Sequence, residues 1–122
     1  MKRDMDLVIK ILEYLEDREE VSVIKKLEIP GYDNTVVAYH LCRMYEGGLI
    51  DAESVTSKTT ETRIIKVLPF GLTWQGHEFL DAMRSKGIAE QVRQRLGNTL
   101  NNVPFILIKE LALSFGRQEL GL

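Results

Sequence analysis

The chain has a single cysteine, Cys42, among its 122 residues. No disulfide can form within it, and a reducing cytoplasm is the compartment that suits it. No excess of positive charge is present either: 16 Lys and Arg stand against 18 Asp and Glu, a formal charge of −2. A dedicated nucleic-acid binder carries a basic excess over at least one face, so any such surface here has to be local. No stretch approaches the ~20 consecutive apolar residues of a membrane span. The opening MKRDMDLVIKILEYLEDREE sets basic residues before apolar ones in the manner of a signal peptide. Asp4, Asp6, Glu13, Glu16 and Asp17 interrupt any apolar core there, so the expectation is a cytoplasmic protein with no membrane partner. With two histidines, His40 and His77, and one cysteine, no recurring zinc-ligand spacing arises and no metal is expected. Gly47, Gly48, Gly71 and Gly76 match no phosphate-binding loop, and none is followed by the lysine such a loop requires. No cofactor is expected.

What is present is an ordinary folding composition, 44% hydrophobic and 28% charged, long enough for one core without metal or disulfide. Residues 4–17, DMDLVIKILEYLED, set Met5, Val8, Ile9, Leu12 and Leu15 at helical spacing, with Asp4 or Asp6 as cap. Residues 21–29, VSVIKKLEI, are β-branched and end at Pro30-Gly31, which predicts a short strand. Asp33 or Asn34 then caps a helix over 35–46, and Gly47-Gly48 ends it, one glycine in the left-handed conformation. LIDAESVTS, the polar tip SKTTET and RIIKVLPF read as a hairpin. Thr73 caps a further helix with Trp74, Phe79, Leu80 and Met83 as apolar anchors, and Gly76 is expected to allow close approach to the sheet. IAEQVRQRL gives a short helix, and VPFILIKELALSFG a last one capped by Asn101 or Asn102, with Pro104 in its first turn. That helix is apolar around much of its circumference, which predicts deep burial or a homodimer interface.

The order is helix, strand, helix, two-stranded wing, helix, then a helical extension. This is the α+β winged-helix order, with 1–122 as one domain and 88–122 as the extension. One departure stands out: between the first helix and 35–46 there is hardly room for the second helix of a helix-turn-helix. VVAYHLCRMYEGGLI resembles the winged-helix pattern in which a valine, a His-Leu pair and a later leucine precede glycine and Leu-Ile. GLTWQGHEFLDAM resembles the Leu-Thr-x-x-Gly helix start that follows the wing in many bacterial regulators. With the opening KRDMDL and the closing VPFILIKELALSF, nearly the whole chain resembles a family of short bacterial and prophage proteins, a domain of unknown function with a predicted winged-helix fold. The resemblance implies a fold and a mobile-element context, and it carries no functional residues with it.

On the winged-helix reading, Val37, Leu41, Met44 and Tyr45 face the core, leaving Thr35, Ala38, Tyr39, Cys42, Arg43 and Glu46 outward. Thr35 suits a phosphate or base contact, Tyr39 the backbone, and Arg43 guanine. Lys58, Arg63 and Lys66 lie on or beside the wing and suit the backbone. A second cationic run, Arg84, Lys86, Arg93 and Arg95, follows. The candidate DNA-binding residues are thus Thr35, Tyr39, Arg43, Lys58, Arg63 and Lys66. No catalytic residue is assigned. Cys42 and His40 are two apart on one helix and do not face each other, so His40 is expected to pack or hydrogen-bond, as is His77 against a neighbouring helix. The expected function is non-enzymatic DNA binding or transcription regulation. The alternative is a winged helix repurposed to bind a host or phage protein, which the acidic balance and nearly neutral outer helix face favour.

Overall fold

The computed structural model describes residues 1–122, apart from the Lys86 side chain. Five helices and one hairpin follow in the order α1 (Met5–Asp17), α2 (Asn34–Glu46), β1 (Ile50–Thr56), β2 (Ile64–Leu72), α3 (Trp74–Arg84), α4 (Lys86–Leu96) and α5 (Phe105–Glu119), with a 3-10 turn at Gly97–Thr99. The class is α+β, and among the described residues the sheet is the antiparallel pair β1–β2.

The first helix forms as its periodicity predicts. Asp4 is its cap, the side chain accepting from the Asp6 and Leu7 amides. Met5, Leu7, Val8, Ile11, Leu12 and Leu15 are buried, whereas Ile9 is only partly so. Residues 21–29 form no strand, contrary to their β-branched composition. One backbone bond ties them to the hairpin, from the Ile24 amide to the Pro69 carbonyl, 2.8 Å. Neighbouring N–H and C=O groups of one strand residue point the same way, so the return bond would have to come from the amide proton Pro69 lacks. The ladder therefore stops at one rung, and Leu27 and Ile29 are held by burial instead.

At the far end of α2, Gly48 adopts φ +75°, and the chain turns into β1 with bonds from Gly48 to Tyr45 and from Leu49 to Met44. Thr73 closes this corner from the other side. Its hydroxyl donates to the Gly48 carbonyl and accepts from the Gly76 amide, while its own amide donates to the Leu49 carbonyl, 3.1 Å. Gly76 lies so close that a Cβ would collide with that Leu49 carbonyl oxygen. The Gly-Leu-Ile and Leu-Thr-x-x-Gly motifs are thus two halves of one joint. Trp74 is not the anchor expected: it is 76% exposed, and α3 buries Gly76, Phe79, Leu80 and Met83 instead. Two residues along a helix means a rotation of about 200°, so Gly76 inward puts Trp74 outward. His77 also points to solvent, and among the described residues its side chain makes no hydrogen bond to a neighbouring helix.

The last helix begins later than expected. Pro104 occupies the position before α5 and no side chain caps it. Asn101, expected as the cap, serves α1 instead, its Oδ1 accepting from the Met5 amide at 2.9 Å. Arg3 donates to the Leu100 and Val103 carbonyls. The 100–103 connection is therefore clasped to the start of α1. Helix α5 packs on α3 and α4 through Ile108 and Ala112, with Phe105 against Phe79 at 4.6 Å between ring centres. It leaves Ile106, Leu107 and Leu113 exposed.

Candidate nucleic-acid interface

Helix α2 is fixed from below by its buried residues. Val37, His40, Leu41 and Met44 face inward, and Tyr45 is partly buried against them. His40 is a connector: its Nε2 accepts from the Asp4 amide and its Nδ1 lies 2.8 Å from the Val36 carbonyl. A ring nitrogen that accepts an amide proton carries none itself, so the ring is neutral with its proton on Nδ1, donated to Val36. Both nitrogens are spent on structure.

The outward residues of α2 run along the hairpin. Thr35, Ala38, Tyr39, Cys42, Arg43 and Glu46 line one side of a groove of about 510 Å³, and residues 62–65 line the other. Four of the six candidate residues, Thr35, Tyr39, Arg43 and Arg63, share this groove. Arg43 is held along the helix: its guanidinium lies 2.9 Å from Glu46 and over the Tyr39 ring at 5.4 Å. Its charge is thereby partly neutralised, although an exposed pair of this kind is worth under about 1 kcal/mol and is readily exchanged.

Lys66 lies apart, in a neighbouring cleft that meets the groove at Ala38 and is shared with Lys25, Lys26 and Asn34. Lys25 and Lys26 stand in VSVIKKLEI, the segment whose composition predicts a strand. The signal was the Lys-Lys pair itself, but only the folded chain shows that it meets Lys66 beside α2. Lys26 is paired with Glu28 at 3.5 Å, while among the described residues Lys25, Lys58, Arg63 and Lys66 have no carboxylate within 4 Å. Lys58 is exposed at the hairpin tip, away from both grooves. The tip is ordered by Ser57, whose Oγ accepts from the Thr59 and Thr60 amides. Cations therefore line both clefts beside α2, with Glu28 and Glu46 paired among them.

Two of the four cations in the second run are engaged by the fold. Arg84 pairs with Glu16 and Asp81, and Arg93 with Asp6 at 2.7 Å, so these two arginines link α3 and α4 to α1. Cys42 is half-buried, and burial raises its thiol above the ordinary range despite the neighbouring Arg43. A thiol held protonated is a poor nucleophile.

The model of the family DUF2513, described as "Hypothetical protein", matches residues 2–99. An uncharacterized protein of Haemophilus influenzae is 30% identical over 122 residues, covering 99% of this chain and 100% of that one. No solved structure matches significantly.

Proposed function

The chain belongs to the DUF2513 family of hypothetical proteins, and we propose that this member is a winged-helix DNA-binding or regulatory module of bacterial or prophage origin, without enzymatic activity. It works in the cytoplasm, where its lone thiol stays reduced. In this reading α2 is the recognition helix, the β1–β2 hairpin is the wing, and the stretch 18–33 replaces the missing helix of the helix-turn-helix. The observation that carries it is the groove in which Thr35, Tyr39 and Arg43 of α2 meet Arg63 at the tip end of the hairpin. A helix laid in the major groove presents such a face to base edges while the wing follows the backbone. Lys58 and Lys66, with Lys25 beside Lys66, supply phosphate contacts.

Fluorescence anisotropy of the purified protein with random and bacterial genomic duplexes tests this reading. Binding that weakens steeply with added salt is expected, and absence of binding at low salt on either pool overturns it. Dimer formation through α5 belongs to the same reading, because its exposed Ile106, Leu107 and Leu113 form an apolar strip that a second copy would cover. Sedimentation equilibrium is expected to give a dimer for the native chain and a monomer for Leu107→Glu.

A second reading, a protein-interaction module, draws on the same exposed strip and on Trp74, 76% exposed. A stoichiometric protein partner, with no DNA bound at any salt concentration, would select it.

A further inference from the structure

Beside the hairpin groove, and sharing Tyr39 and Arg43 with it, a cavity of about 380 Å³ opens between the start of α1, the second half of α2 and the first residue of α5. Met5, Val8, Met44 and Phe105 make its surface mainly apolar. Two arginines, Arg3 and Arg43, line the same cavity, with Tyr39 beside them. His40 also lines it, but both of its nitrogens are already engaged, so it offers a ring surface and no free hydrogen bond.

Arg3 is the unusual member. It is partly buried and, among the described residues, has no carboxylate within 4 Å. One of its terminal nitrogens serves the Leu100 and Val103 carbonyls, while its Nε–H is buried without a partner. Burial also lowers its affinity for the proton. A partly desolvated cation with no carboxylate beside it is costly unless an anion meets it. Arg43, on the other side of the opening, is held by an exposed Glu46 that an incoming anion can replace.

We propose that this cavity is a binding site for a small amphipathic acid, an apolar body with one carboxylate, whose body lies on Met5, Val8, Met44 and Phe105 and whose acid is read by Arg3 and Arg43. The size and the balance of apolar wall to few polar groups are those of small-molecule sites. Tyr39 and Arg43 line both this cavity and the hairpin groove, so an occupant that draws Arg43 inward removes it from the outer face. That coupling rests on the DNA-binding reading; the site itself does not.

Decanoate is the probe, titrated into the full chain without DNA and followed by amide NMR and calorimetry. Saturable one-to-one binding is expected, with the largest shifts at Gly47, Leu49 and Phe105. Decanol, with the same chain and no charge, is expected to bind about tenfold more weakly, as is decanoate to Arg43→Gln, since each loses a charge-assisted hydrogen bond. Arg43 is exposed, so this variant keeps its fold, which the same spectra check. Equal affinity for decanol and decanoate would overturn the acid reading. Absence of saturable shifts, or shifts confined to the exposed strip of α5, would overturn the site. The DNA titration of the native chain without decanoate is read separately, so either proposal can fail alone.

Discussion

Gly76 and Leu49 meet at a contact between backbones, with no room for a methyl group. The Leu-Thr-x-x-Gly spacing was legible as a capped helix start and a close approach, because a threonine cap three residues before a glycine has a local mechanism. What the glycine approaches was not legible, since Leu49 is far away in sequence. Gly76→Ala is expected to cost about 3 kcal/mol, the upper end for overfilling a packed site, because backbone cannot give way as a flexible side chain does. Urea unfolding monitored by circular dichroism measures it, and Gly71→Ala, where a Cβ meets open space, is the control. Cys42 offers a second test. Its thiol is raised by burial, so in the folded chain it keeps its proton at pH values where the unfolded chain has begun to lose its own. Its contribution to stability is therefore intact below the ordinary thiol range and lost as pH rises through the raised value. Alkylation by iodoacetamide at neutral pH is expected to be slow and to accelerate when urea is added.

Elements announced by their own periodicity were readable, and those that depend on a distant partner were not. Helices α1, α2 and α3 and the hairpin follow from apolar spacing, caps and turn residues within each segment. VSVIKKLEI has strand composition, but a strand needs a neighbour with amide protons to offer, and Pro69 breaks that exchange. The bulk of Trp74 suggests an anchor, whereas helix phase points it to solvent. The Asn101–Asn102 pair was read as a cap for the nearest helix. In the folded chain Asn101 reaches α1, 96 residues away in sequence. Asn101→Ala is accordingly expected to destabilise the protein by about 1–2 kcal/mol, by orphaning the Met5 amide at a helix start. Asn102→Ala, one residue on, is expected to change little. Thermal unfolding of the pair separates a cap on α1 from a general need for asparagine in this loop.

For the whole molecule, the charge balance of −2 conceals an uneven distribution. Carboxylates on α1 take up Arg84 and Arg93, while among the described residues Lys25, Lys58, Arg63 and Lys66, around α2 and the hairpin, have no carboxylate within 4 Å. The outward face of α2 was legible from helix periodicity. The convergence of Lys25, Lys26 and Lys66 was not, because it depends on how 18–33 crosses the sheet. If Lys25, Lys58, Arg63 and Lys66 each meet a phosphate, the logarithm of the DNA association constant should fall with that of salt at a slope of about −3 to −4. The double change Arg63→Ala and Lys66→Ala should reduce the slope by about 2, in the same anisotropy titration. The clasp between Arg3, Met5 and residues 100–103 has a consequence for how the molecule is made. The first helix emerges from the ribosome early, yet its Met5 amide finds its acceptor only when Asn101 has been added, about 5–20 s later at ordinary rates of synthesis. Through that interval the start of α1 is without the clasp that caps it in the folded chain, and a chaperone that holds apolar helices has time to reach it.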